Sequence, residues 1–335
     1  SALAWWTKAS RSKDVSCEVR LPTEFRRIEI PVTATQLAQR IQNFRNSLEA
    51  RDPLRYLRHA QHLYDWLIRP LENKLQGQNF KTIVFVNSDI LQSLPLSALY
   101  NGRQYLIEKY AVAISPNLKL IEPQSRNQDK IQVLAAGITH SLEGFSALPS
   151  VSQELRNIQK LYETTLLLNH QFTHKHLKQV LQKSNFSILH IATHGHFASE
   201  SAQSYLLTAQ GKLAFMELIH TLRYMYLQQQ PLDLLTLSAC ETNYTNNSIN
   251  SWPTKFITQA GVKSVLATLW KIDDNAAEKL MTAFYTYLKQ LNITKERALQ
   301  LAQISLISHE QYSDPFFWSP FILTSSYLVL DHISE

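Results

Sequence analysis

Apolar residues between positions 35 and 75 recur every three or four places, the spacing that gives an α-helix one buried face. This pattern predicts two amphipathic helices, Thr35–Ala50 and Leu54–Leu75. Short apolar runs follow at Thr82–Asn87, Tyr105–Glu108 and Ala111–Ser115, and their length and composition are typical of strands. We therefore expect a pair of helices followed by a small sheet.

Residues 1–33 have little periodicity and mixed charge, although the Trp5–Trp6 pair would suit a packed helix. We expect this stretch to be a linker or the remnant of an upstream region. The polar segment Gln124–Lys130 predicts an internal linker. The chain would then hold a smaller domain at 34–125, with helices and a small sheet, and a larger domain at 130–331.

Strands and helices alternate beyond residue 130, which predicts an α/β fold with a mainly parallel sheet flanked by helices. The expected strands are Ile131–Ala136, Thr165–Leu168, one run within 187–197, one within 232–242, Val262–Thr268, and closing material at Phe321–Thr324 and Tyr327–Leu330. The expected helices are Val151–Tyr162, His174–Lys183, Asn275–Gln290 and Thr294–Ile307.

Two of these strands end in reactive side chains. His194 follows the apolar run that starts at Ser187, and Cys240 follows the run that starts at Leu232. Open α/β sheets keep their chemistry at the carboxyl ends of the strands. Cys240 follows His194 by 46 positions, which leaves room for a crossover between neighbouring strands. We therefore expect the imidazole and the thiol to meet at one edge of the sheet.

Composition restricts the class of protein. The chain has 335 residues, 44% of them apolar and 18% charged, so it can bury a large core as one large domain or two. It has no run of about 18 apolar residues to cross a bilayer, and its start lacks the basic-then-apolar order of a signal peptide. We expect a soluble cytoplasmic protein without a membrane partner.

The formal net charge is +6, but no basic run is interleaved with aromatic residues as in nucleic-acid-binding modules. We interpret the basic residues as solvated surface, so direct nucleic-acid binding is not indicated. The two cysteines, Cys17 and Cys240, are too few for a disulfide framework or a four-cysteine zinc site. No cofactor is expected.

Zinc is an alternative use of His190, His194, His196 and Cys240. Four strand residues separate His190 from His194, a spread of about 13 Å, whereas zinc ligands lie about 2 Å from the ion. We therefore expect no metal at this site, and we interpret His190 as a structural residue.

Seven segments occur in the order found in the CHAT family, a caspase-like family that is often attached to tetratricopeptide repeats and is related to separases and caspases. They are Leu63–Leu71, Leu91–Leu99, Leu148–Glu154, His190–Phe197, Leu237–Thr242, Leu266–Asp274 and Asp314–Leu323. From about Asp65 to Leu323, the chain therefore resembles this family.

The resemblance implies a caspase-like catalytic domain at 130–331, preceded by a non-catalytic companion domain. His194 and Cys240 match the catalytic dyad of a cysteine endopeptidase that cuts a protein substrate. In such enzymes the oxyanion hole consists of the amide after the histidine and that of the nucleophile, here Gly195 and Cys240. The resemblance also implies activation by a regulatory protein or an attached repeat domain.

Three acidic residues are candidates for substrate binding. Asp273 and Asp274 follow a predicted strand, and caspase-like relatives that cut after basic residues seat the substrate cation on an acidic side chain. The alternative role for this pair is to cap the helix near Asn275. Glu241, beside the nucleophile, can contribute to the site or pair with a neighbour.

One departure from the family pattern supports a different function. After the cysteine the family usually has a glycine-rich loop, whereas Asn243–Ser251 contains no glycine. Asparagine tolerates left-handed backbone, so a loop of suitable shape is still compatible with this segment. The alternative hypothesis is a catalytically silent caspase-like scaffold that binds partners.

Overall fold

Strands and helices fill most of the chain in the computed structural model. It describes residues 2–8, 14–21, 24–77, 80–86, 91, 93–116, 131–197, 203–238 and 251–326. The chain divides into two compact units. Unit one joins Ser1–Ile114 with Lys279–Leu323, and unit two joins Ser115–Glu278 with Thr324–Glu335.

The elements are numbered in chain order. The strands are β1 Ala2–Lys8, β2 Asp14–Leu21, β3 Glu24–Thr33, β4 Thr82–Val86, β5 Ala111–Ser115, β6 Gln132–Gly137, β7 Glu163–Leu168, β8 Ile188–Ala192, β9 Gly195–His196, β10 Tyr205–Thr208, β11 Gly211–Ala214, β12 Leu234–Ser238, β13 Ser264–Thr268 and β14 Phe321–Ser325. The helices are α1 Ala34–Glu49, α2 Pro53–Leu67, α3 Glu72–Gly77, α4 Leu106–Lys109, α5 Val151–Leu161, α6 His174–Lys183, α7 Phe215–Leu227, α8 Ser251–Ala260, α9 Asp274–Leu288, α10 Lys295–Ile307 and α11 Pro315–Trp318.

Unit one contains a sheet in the order β3-β2-β1-β4-β5-β14. Strand β1 pairs antiparallel with β2 and parallel with β4. Helices α1 and α2 start at strong caps. Thr33 accepts from the Gln36 amide in a capping box, and Asp52 accepts from the Arg55 amide just before Pro53. Such caps satisfy amide donors that a helix start would otherwise leave unpaired.

The first 33 residues differ from the sequence prediction. The stretch expected to be a linker contains β1, β2 and β3, and Trp5 and Trp6 lie in β1 rather than in a helix. These strands are held by backbone hydrogen bonds with each other and with β4. Backbone pairing of this kind cannot be recognised from the pattern of apolar residues.

Two further predictions in unit one have different outcomes. Tyr105–Glu108 was expected to be a strand, but α4 occupies most of it, because the Glu108 carboxylate accepts from the Tyr105 amide 2.5 Å away and closes a helical turn. The expected closing strand at Phe321–Thr324 is confirmed as β14, whereas Tyr327–Leu330 lies outside the described residues. The predicted linker Gln124–Lys130 also lies outside them.

Unit two is built on five parallel strands in the order β13-β12-β8-β6-β7. Strands β8, β12 and β13 are buried along their whole length, as expected for strands covered by helices on both faces of the sheet. Strands β8 and β12 are hydrogen-bonded neighbours, which is the arrangement that a meeting of His194 and Cys240 requires. The register places Ala192 of β8 opposite Ser238 of β12, at the carboxyl ends of both strands.

Candidate active site

His194 lies two residues beyond the carboxyl end of β8 and is 3% exposed. Its Nε2 lies 2.7 Å from the carbonyl oxygen of Ser146. Because a carbonyl oxygen only accepts, Nε2 must carry the hydrogen, and in the neutral ring Nδ1 then holds the lone pair. The backbone of Ser146 therefore fixes the ring so that Nδ1 can take part in proton transfer.

A two-residue turn positions the loop that carries Ser146. Leu142 and Phe145 exchange backbone hydrogen bonds of 3.3 and 2.9 Å across Glu143 and Gly144. The φ angles of these central residues are +49° and +85°, as in a type I′ hairpin turn. Phe145 leaves the turn with its ring centroid 4.9 Å from that of His194. The imidazole is therefore held by an aromatic ring as well as by a carbonyl.

Gly195 begins the short strand β9, where it lies opposite Leu206 of β10. The carbonyl of His194 accepts from the Leu207 amide at 2.8 Å, so Gly195 occupies a position of the antiparallel ladder whose own amide points away from β10. A Cβ at Gly195 would lie 2.8 Å from Leu206 Cδ2 and 3.2 Å from Phe197 Cε2. Gly195 therefore lies in a strand, where close packing leaves no room for a side chain.

Cys240, the expected nucleophile, and its neighbour Glu241 lie outside the described residues, as does most of Asn243–Ser251. The described part of β12 ends at Ser238, two residues before Cys240.

His190 lies within β8 and is completely buried. Its Nε2 lies 2.8 Å from Oε1 of Glu154, which is 1% exposed on α5. The two polar atoms are thus in close contact within the buried interior of unit two. His190 therefore forms a buried polar pair with Glu154, a position in the fold that differs from that of His194.

Asp273 and Asp274 lie at the start of α9 with different partners. Oδ1 of exposed Asp273 accepts from the amides of Asn275 and Ala276, both at 3.0 Å, which is the capping role considered as the alternative. Oδ2 of half-buried Asp274 accepts from the Ser150 amide at 2.7 Å, and its Oδ1 is buried without a hydrogen-bond partner among the described residues. Burial raises the pKa of Asp274, and the nearby carboxylates of Glu154 and Asp273 add to this rise.

The raised pKa of Asp274 gives a testable pH dependence. As pH rises above the ordinary value of 3.8, the unfolded chain loses this proton before the folded chain does, so this group stabilises the fold less. Between that pH and the raised pKa, the unfolding free energy of the parent is expected to fall relative to Asp274→Asn. Urea unfolding from pH 4 to 7 measures this difference. Glu310→Gln, which removes an exposed carboxylate elsewhere, is the control, and an equal pH slope for parent and Asp274→Asn would contradict the prediction.

Sequence reasoning missed two contributors to the site. Ser146 acts through its backbone carbonyl, and the Glu143-Gly144 pair was the available sign of a tight turn before it. Glu154 falls at helical spacing between the apolar residues Val151 and Ile158, so a carboxylate on the buried face of α5 was visible in the pattern.

The described residues contain no group of three or more His, Cys, Asp or Glu side chains arranged to hold a metal ion. His196 lies in β9, and its ring stacks on Tyr205 at 5.6 Å between centroids. Within the same described ranges, no helix has the length and apolar character needed to cross a membrane.

Known structures share this fold. Separase of Saccharomyces cerevisiae, in its complex with securin, aligns with a TM-score of 0.59 and 11% identity over 97% of this chain and 30% of that chain. The Arg-specific cysteine proteinase gingipain R aligns with a TM-score of 0.51 and 6% identity over 80% of this chain and 67% of that one. The predicted caspase-like α/β fold is thereby confirmed.

The comparison of sequences identifies the family. No curated protein sequence matches the chain. The sequence profile of the CHAT domain matches residues 57–326, which is most of the chain and agrees with the resemblance found in the seven segments. This chain belongs to the CHAT domain family.

Proposed function

We propose that this CHAT domain is a cytoplasmic cysteine endopeptidase, with Cys240 as nucleophile and His194 as general acid and base. The observation that carries the proposal is the contact between His194 Nε2 and the Ser146 carbonyl, which leaves Nδ1 for catalysis. With Nε2 donating to this carbonyl, Nδ1 of the neutral ring can accept a proton.

The strand register supports the pairing of these two residues. Ala192 and Ser238 lie opposite each other on adjacent parallel strands. His194 and Cys240 each follow these residues by two positions in the sequence, so both come after strand ends that lie at the same edge of the sheet. Active sites of α/β folds are built at this edge.

The proposed reaction uses the dyad twice. The Cys240 thiolate bonds to the carbonyl carbon of the substrate peptide while Nδ1 of His194 holds the thiol proton. The amides of Gly195 and Cys240 donate to the oxyanion, and the described register already directs the Gly195 amide away from β10. His194 gives its proton to the leaving amine as the C–N bond breaks, then takes a proton from the water that hydrolyses the thioester.

Substrate selection is assigned to the acidic residues near the site. Asp273 is the better candidate for seating a basic side chain, because it is exposed and only its Oδ1 caps α9. Asp274 is half-buried and held by the Ser150 amide, and Glu241 is proposed only from its place beside Cys240. The name of gingipain R records specificity for arginine in a protein with a similar fold.

Regulation by another protein is part of the proposal. The separase structure was determined with securin, so a protein of this fold forms a complex with a second chain. Residues 34–125 would be the companion domain, and a regulatory protein or an attached repeat domain would control the catalytic one.

Cleavage of a diversified peptide library tests the proposal. The parent chain is expected to cut a defined subset of peptides, with candidate partner proteins present if they are needed, and Cys240→Ala is expected to abolish cutting. Cys17→Ala is the control for removing a thiol. No cleavage under any condition, with Cys240 alkylated no faster than Cys17, would contradict the peptidase and support a catalytically silent scaffold.

A further inference from the structure

A polar groove follows helices α1 and α2 on the surface of unit one. It consists of two cavities of about 620 and 460 Å³ that share Arg40 and Asn43 in their walls, and we call it the α1–α2 groove. Along α1 it extends from Gln36 to Ala50, which is about 20 Å of helix. That length accommodates about six residues of an extended peptide.

The groove is positively charged. Among its lining residues that the structure describes are three arginines, Arg40, Arg55 and Arg58, and one carboxylate, that of Asp52. Asp52 already accepts from the Arg55 amide and lies 3.3 Å from the Arg55 guanidinium. Among the residues that the structure describes, no carboxylate lies within ion-pair distance of Arg40 or Arg58, so two guanidinium groups are available to an anion.

The protonation of the His59 imidazole is affected by this excess of positive charge. Its Nδ1 lies 3.2 Å from Nη1 of Arg40, and because a guanidinium only donates, Nδ1 must be unprotonated. Burial lowers the pKa of His59, and the neighbouring cations of Arg40, Arg58 and Arg55 lower it further, together with His62. The groove therefore already disfavours one more positive charge, and a negative ligand would reduce the repulsion.

Amide side chains along α1 add donors for a peptide backbone. Oδ1 of Asn43 accepts from Gln39 at 3.0 Å, and Oδ1 of Asn46 accepts from Gln42 at 2.8 Å. In this arrangement the Nδ2 groups of both asparagines, which line the groove, can donate to carbonyl oxygens of a ligand.

We infer that the α1–α2 groove binds an extended acidic segment of a partner protein, with carboxylates on Arg40 and Arg58 and backbone carbonyls on Asn43 and Asn46. Guanidinium groups bind carboxylates through paired hydrogen bonds. Single-stranded nucleic acid fits less well, because it needs several aromatic surfaces for its bases. Trp66 is the aromatic residue in the groove walls, and Arg40 lies over its ring at 5.5 Å.

Fluorescence anisotropy tests this site without any need for catalysis. The full chain carrying Cys240→Ala, which prevents cutting of the probe, is titrated against a labelled octapeptide of alternating glutamate and alanine. The matched peptide of glutamine and alanine is expected to bind at least tenfold more weakly. Arg40→Gln with Arg58→Gln is expected to weaken binding of the acidic peptide at least tenfold.

The control variant is Arg156→Gln with Lys160→Gln, two exposed residues of α5, which removes the same charge elsewhere and is expected to leave binding within twofold. Unfolding curves establish that both double variants fold. Equal loss of binding in the two double variants, or no binding of the acidic peptide at low salt, would overturn the inference. Tighter binding of an eight-nucleotide uridine strand that depends on Arg40 and Arg58 would assign the groove to nucleic acid instead.

Discussion

Replacing Glu154 by alanine is expected to lower the free energy of unfolding by about 1 to 3 kcal/mol, the usual cost of leaving a buried polar group without its partner. Glu154 and His190 are 1% and 0% exposed, so water cannot replace the lost carboxylate next to Nε2 of His190. Urea unfolding at pH 7 measures the change. His190→Ala is expected to have a similar cost.

A control and a double variant distinguish the contact between Glu154 and His190 from the packing of the two side chains. Glu310→Ala, which removes an exposed carboxylate, is the control and is expected to change stability by less than about 0.5 kcal/mol. In the double variant Glu154→Ala/His190→Ala the two costs are expected to be less than additive, because each single variant already breaks the contact. Strict additivity, or a loss below 1 kcal/mol for Glu154→Ala, would show that the pair is not coupled.

Replacing His194 by alanine is expected to lower kcat/KM for peptide cleavage at least about a thousand-fold, under the proposed function. The variant loses the group that protonates the leaving amine and the base that activates water, and both act in the transition state. The variant also loses a hydrogen bond worth about 1 kcal/mol and the packing of the buried ring on Phe145, so unfolding curves must show that it still folds. Kinetics with the best library peptide, together with urea unfolding, measure both effects.

His220→Ala is the control for this variant, since His220 is exposed on α7. Its kcat/KM is expected to stay within twofold of the parent. Cleavage by His194→Ala at more than a tenth of the parental rate would show that His194 is not the general acid and base. The contact of its Nε2 with the Ser146 carbonyl would then have a structural role.

The buried strands were predictable because a strand that is buried on both faces consists almost entirely of apolar residues. Strands β8 and β12 coincide with apolar runs, and their alternation with helices predicted a parallel sheet, whereas their adjacency follows only from the observed pairing. Strands β1 to β3 were not predicted, because they are held by backbone pairing with each other and, in β1, with the distant strand β4, and the apolar pattern does not record this pairing. Only the antiparallel register, in which Cys17 lies opposite Trp6, reveals why that stretch is extended.

The site was predictable only where side chains carry the chemistry. His194 and Gly195 are recognisable by residue type and position at a strand end. The partner of His194 is a backbone carbonyl, and its location follows from the path of the chain through the turn at Glu143 and Gly144. The contact of Asp274 with the Ser150 amide depends likewise on how α5 and α9 begin. Residue patterns carry little information on such geometry.

The Ser146 carbonyl has a consequence for how this site tolerates change. Every amino acid supplies the same oxygen, so substitution at position 146 is expected to preserve the tautomer of His194 as long as the backbone keeps its course. A histidine oriented by an aspartate would instead depend on one side chain and on its ionisation. Related chains are therefore free to vary at this position, whereas insertions or deletions between β6 and α5 would displace the carbonyl and be selected against.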